Sequence, residues 1–88
     1  MNMNDPIMKN GYIVHRPARN GSIGMLFKGW DASGKNYILG HNNGMIFLDR
    51  DIAQEMAEAL GDDWKLKRLS ELTSDDFARM NAMTAIFD

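Results

Sequence analysis

Two adjoining stretches decide the fold: Tyr37-Ile38-Leu39-Gly40-His41-Asn42-Asn43-Gly44-Met45-Ile46-Phe47-Leu48, then Asp49-Arg50-Asp51-Ile52-Ala53-Gln54-Glu55-Met56-Ala57-Glu58-Ala59-Leu60-Gly61. In the first, β-branched and aromatic runs flank Asn42-Asn43-Gly44, the clearest hairpin signal in the chain, because Asn-Gly supplies the positive φ that tight turns need. This predicts two antiparallel strands joined by a tight turn. In the second, Ile52, Ala53, Met56, Ala57 and Leu60 fill one helical face. Asp49 is placed to cap that helix and Gly61 to close it. Met56 and Leu60 are expected to face the sheet and be largely buried.

Working outward, Tyr12-Ile13-Val14-His15-Arg16 is a strand run closed by Pro17, and Pro17 to Gly21 reads as a turn. Ile23, Met25 and Phe27 alternate with Gly24, Leu26 and Lys28, which predicts a second strand. Asp31 to Lys35 is a second turn, and Tyr37-Ile38-Leu39 a third strand. Beyond the helix, Trp64 to Leu69 alternates as a short strand. Thr73 or Ser74 caps a last helix, with Asp75 and Asp76 against its N-terminal dipole. Residues 1–10 are expected to be a flexible leader and 11–88 a single α+β domain. Its order is β-β-β-β-α-β-α: a small antiparallel meander with one or two helices packed on one face, since short links favour antiparallel pairing.

The chain has 88 residues and no cysteine, which excludes a disulfide framework, a thiol nucleophile and a cysteine-based zinc site. No apolar run reaches about 18 residues, so no membrane span is expected, and Met1 to Pro6 lacks a signal pattern. The expectation is a soluble, cytoplasmic protein. Charge is unevenly divided. Residues 1–48 hold five Lys or Arg and two Asp, whereas residues 49–88 hold five Lys or Arg and ten acids.

The acids of the helical segment are the most ordered feature. Asp51, Glu55, Glu58 and Asp62 fall at i, i+4, i+7 and i+11, one stripe opposite the apolar face. Such a stripe can imitate a phosphate backbone and occupy a basic channel, or it can be an ordinary solvated face. Arg16, Arg19, Lys28 and Lys35, with aromatic residues nearby, are the alternative: a basic sheet side holding single-stranded nucleic acid. The sequence pI near 5.6 argues against that being the main ligand. Phe77, Met80, Met83 and Phe87 share a face of the last helix, which docks on the sheet or buries against a second copy, leaving a homodimer open.

Chemistry finds little footing. His15 and His41 have no second ligand at helical spacing, and no metal or cofactor site can be assembled. Ser22, Ser33, Ser70 and Ser74 occupy turn or cap positions, where serine serves the backbone. The expectation is a binding protein, not an enzyme.

In size, lack of cysteine and the acidic helix of Asp51, Glu55, Glu58 and Asp62, the chain resembles the small accessory proteins that phages and prophages encode, anti-CRISPR proteins among them. The resemblance is one of style and rests on no motif. It implies a stoichiometric inhibitor acting on a protein partner, such as a nuclease or other nucleic-acid-binding complex, through its acidic surface. An assembly subunit that oligomerises through the last helix is a further alternative.

Overall fold

The computed structural model describes residues 10–78 and 86–87. Its elements run β1 (Tyr12–Arg16), β2 (Met25–Trp30), β3 (Tyr37–Gly40), β4 (Ile46–Phe47), α1 (Arg50–Leu60), β5 (Lys65–Arg68), a 3-10 turn (Leu69–Glu71), α2 (Ser74–Ala78) and β6 (Ile86–Phe87). The α+β class and the order β-β-β-β-α-β-α through α2 are as the sequence predicts; β6 follows as an addition. Residues 1–9 of the expected leader lie outside the described residues.

Strand β1 organises the sheet. One of its edges carries β5 in an unbroken antiparallel ladder, Tyr12 opposite Arg68 through His15 opposite Lys65. Two strands divide the other edge: β2 takes His15 and Arg16, and β4 takes Tyr12. Strand β3 continues outward from β2, so β1, β2 and β3 form the expected meander.

Strand β4 does not form the hairpin with β3 that Asn42-Asn43-Gly44 predicts. The link from Gly40 to Ile46 is longer than a tight turn, and only Asn43 takes a positive φ (56°), whereas the tight Asn-Gly turn needs it at both central residues. The chain instead passes over β2, where Met45 N–H donates to Phe27 O at 2.8 Å, and lays β4 beside β1. The other edge of β4 pairs in parallel with β6, Phe47 opposite Phe87.

Three consecutive apolar pairs explain the core. Ile13 and Val14, Leu26 and Phe27, and Ile46 and Phe47 are all buried, and each pair sends one side chain to each face of the sheet. One face gathers Ile13, Ile23, Leu26, Ile46 and Leu69. The other gathers Val14, Phe27, Met45, Phe47 and Trp64 under Ala53 and Ala57 of α1. Apolar runs on strands covered on both faces are the expected signature. Met56 and Leu60, expected to be largely buried, are only half-buried. The centre of the helix contact is occupied by the two alanines, which let the backbones approach closely and leave Ile52, Met56 and Leu60 on the flanks.

The caps follow the sequence. Asp49 accepts from Asp51 N–H at 2.8 Å and from Ile52 N–H at 3.2 Å, and Gly61 N–H closes α1 on Ala57 O. Thr73 Oγ1 accepts from Asp76 N–H at 3.1 Å. Two local devices set the phase of β2. Gly24 (φ 74°) lets Ile23 join one face while Met25 and Phe27 serve the other. A bulge then leaves Lys28 without a counterpart between Phe27–Leu39 and Gly29–Ile38, which brings Trp30 back to the side of Phe27, ring centroids 5.3 Å apart.

A Cβ at Gly24 would lie 2.1 Å from Arg16 O and 2.7 Å from Ala18 N, whereas one at Gly34 (φ 75°) would meet open space. Gly34→Ala should therefore cost about 1–2 kcal/mol, the penalty of the left-handed conformation alone. Gly24→Ala adds a backbone clash and should cost clearly more, about 3 kcal/mol or above. Urea denaturation of the two variants checks the difference.

Candidate functional site

Helix α1 displays Asp51, Glu55 and Glu58, all exposed, opposite the face that carries Ala53 and Ala57. Glu58 accepts a long hydrogen bond from Gln54 Nε2 at 3.4 Å; among the described residues no cation pairs with any of the three. Asp62 does not extend the stripe as a helical residue, because α1 ends at Leu60 and Gly61 turns the chain away. It lines a depression of about 450 Å³ with Asp63, Arg16, Pro17, Arg19 and Lys65. The fourth acid of the predicted stripe therefore sits among cations.

The same depression takes two of the four predicted basic residues. The Arg16 guanidinium also lies 5.8 Å from the centroid of the buried Trp64 ring, a cation–π contact. Lys28 and Lys35 lie toward the other end of β2, at the bulge and in the β2–β3 turn. The structure thus groups Arg16 with Arg19 and sets Lys28 and Lys35 elsewhere; it does not join the four into one strip.

A cationic cluster that the sequence reading did not single out lies between α1 and β5. Arg50, Lys67 and Arg68 line a cleft of about 270 Å³ with Tyr12, Leu66 and Glu71, and the Arg68 guanidinium stands 5.6 Å from the Tyr12 ring centroid. Alternation within Lys65-Leu66-Lys67-Arg68 was the available signal. What it could not disclose is that pairing with β1 sets Arg68 directly opposite Tyr12.

The helical face expected to carry Phe77, Met80, Met83 and Phe87 does not form as one face. Phe77 lies within α2, which is five residues long, whereas Phe87 belongs to strand β6, so the two do not share a helical face. The Ile86-Phe87 pair extends the sheet beside β4, where an aromatic and a β-branched residue suit a strand better than a helix. Met80 and Met83 lie outside the described residues.

His15 is buried, and its Nδ1 is 2.7 Å from Ile23 O. A carbonyl only accepts, so Nδ1 carries the proton and donates. Burial disfavours the imidazolium and holds the His15 pKa below its ordinary value; the hydrogen bond to Ile23 opposes this, and the Lys67 and Lys65 ammonium groups add to it against Asp76. The Asp31 carboxyl is held down to about 2 by hydrogen bonds from the Ser33 hydroxyl and Asn36 amide, which fasten the β2–β3 turn. Among the described residues no group of three or more His, Asp or Glu could hold a metal ion, and no helix is long and apolar enough to cross a membrane. Comparison with protein-family models, curated proteins and solved structures finds no match.

The His15 environment predicts a pH dependence. Between its lowered pKa and the ordinary value of 6.5, the unfolded chain binds more protons at this site than the folded protein. Stability is therefore fully present above that window and falls as the pH drops through it. Urea midpoints at roughly pH 7.5 and pH 5.5 should show the loss in the parent. His15→Gln, although less stable throughout, should show a smaller change across the same interval.

Proposed function

We propose that the protein is a non-catalytic, stoichiometric binder that presents the acidic face of α1 to a basic protein surface, in the manner of the phage-encoded inhibitors whose size and acidic helix it resembles. The observation that carries this reading is the exposed row of Asp51, Glu55 and Glu58 on a helix whose opposite face is seated on the sheet. Steps of four and three residues space these carboxylates by about 6 and 4.5 Å along the axis. That is within a factor of two of the about 3.4 Å rise per phosphate of one strand along the DNA axis. Like charges at such spacing destabilise a free helix by a few tenths of a kcal/mol per pair, and a cationic partner surface offsets this. The fitting partner is a nuclease or other complex with a basic nucleic-acid channel. Asp62, set among Arg16, Arg19 and Lys65, contributes at the margin of this face.

A second reading rests on the cleft of Arg50, Lys67 and Arg68 beside Tyr12. Cations interleaved with an aromatic ring suit single-stranded nucleic acid. One set of variants separates the two readings. Glu55→Lys with Glu58→Lys should leave stability within about 0.5 kcal/mol, because both sites are exposed. The same pair should sharply reduce capture of the partner from lysate, quantified by mass spectrometry, and binding by the parent should weaken with added salt over the range where the Debye length falls below about 10 Å. If the double variant captures the same proteins as the parent, the acidic-face reading fails. A parent that binds single-stranded DNA, and loses it on Lys67→Glu with Arg68→Glu, establishes the second reading.

A further inference from the structure

Two edge strands of the sheet are treated differently. Strand β5, which pairs only with β1 among the described strands, carries Lys65, Lys67 and Arg68, the charged side chains by which an edge is protected from further pairing. Among the described strands β3 is the last beyond β2, and its own residues give it no such protection. Its Tyr37, Ile38 and Leu39 are 46%, 41% and 43% exposed, and they are the large hydrophobic residues most open to solvent among those described. Three consecutive apolar residues put apolar surface on both faces of the strand.

Charge frames this strand at both ends. Lys35 is exposed in the turn that leads into it. At its far end Gly40 lacks a side chain, and the Lys28 side chain from the bulge occupies that space: a Cβ at Gly40 would lie 2.9 Å from Lys28 Cδ and 3.4 Å from Nζ. The only acid between residues 25 and 41 is Asp31, and its carboxylate is engaged by Ser33 and Asn36. The edge is therefore apolar in its middle and cationic at its ends.

We propose that β3 is a docking edge that takes an extended peptide segment of a protein partner as an added strand, apolar at its centre and carrying Asp or Glu at both ends. Main-chain hydrogen bonds to the open edge supply affinity, and the Lys28 and Lys35 ammonium groups select the acidic flanks. A second copy of the chain is the poorer occupant. Two-fold pairing of β3 with itself about Ile38 sets residue 36 opposite residue 40, and so brings Lys35 of one copy toward Lys28 of the other. This edge is separate from α1, which packs over β1, β4 and β5 with its acidic face turned outward.

The test uses the full chain and two capped synthetic peptides, Glu-Asp-Val-Thr-Val-Thr-Val-Asp-Glu and the same sequence with Lys at its four acidic positions. Binding is followed by amide NMR shifts and hydrogen exchange. The acidic peptide should bind at least about tenfold more tightly than the lysine peptide, with shifts and slowed exchange centred on residues 35–41. Ile38→Lys, an exposed substitution that puts a charge on the edge, should abolish binding while thermal melting is retained. Lys35→Glu should narrow or reverse the preference between the peptides. Equal binding of both peptides, no shift in β3 at about 1 mM peptide, or shifts centred elsewhere would overturn the proposal. So would protection of the β3 amides without peptide in a species of dimeric mass, which would assign the edge to a second copy.

Discussion

Strand β1 is the constraint on which the structure depends. It is hydrogen-bonded on both edges, and it buries Ile13 on one face and Val14 on the other, both fully. A strand enclosed on four sides leaves its neighbours little choice. β5 must run the length of one edge, while β2 and β4 share the other. Each strand on the shared edge must supply adjacent apolar residues to match the two faces, and Leu26-Phe27 and Ile46-Phe47 do so. Full burial of such a side chain contributes about 1.5–3 kcal/mol, so these six residues account for much of the cohesion available to so small a chain. His15, next in the strand, is accommodated by giving its Nδ1 proton to Ile23 O.

The division of one edge between two strands requires β2 to diverge from β1 after Leu26. Gly24 shifts the phase of β2 before the ladder begins, and the bulge at Lys28 shifts it again beyond Phe27. Between these points Phe27 becomes the hub of an aromatic group with Trp30, Tyr37 and Phe47, at centroid distances of 5.3 to 5.9 Å. The contacts with Trp30 and Tyr37 are edge-to-face, a geometry that adds about 0.5–1.5 kcal/mol beyond burial. The bulge that re-aims Trp30 is also what sends Lys28 across Gly40, so the packing of the core and the charge at the β3 edge share one cause.

The surface charges sort by element. Acidic residues occupy the outer face of α1, cations cover β5, and β3 is apolar between two lysines. Where these zones adjoin, charges of both signs mix, as around Asp62, Asp63, Arg16, Arg19 and Lys65. Separate charged and apolar faces on a sheet fastened at its centre are the ground on which a binding role is proposed.

The sequence by itself determined the elements that follow from local period and capping. The period-two runs, the change to a helical period after Leu48, the caps at Asp49, Gly61 and one of Thr73 or Ser74, and the row of Asp51, Glu55 and Glu58 all follow from residues within a few positions of one another. Only the tertiary structure decided which strands pair. Asn42-Asn43-Gly44 signals a turn, but Met45 finds its partner in Phe27 and β4 finds its own in β1, a choice made by burial on two faces and not by the turn. The same holds for Asp62, which continues the stripe by spacing yet leaves it because Gly61 ends the helix. It holds for Phe87, which continues a helical face by spacing yet pairs as a strand beside Phe47. Arg68 meets Tyr12, and Lys28 crosses Gly40, only through strand register and a bulge. Spacing along the chain specifies which residues share a face of one element; contacts between elements are set by closing the core, and that information is distributed over the whole chain.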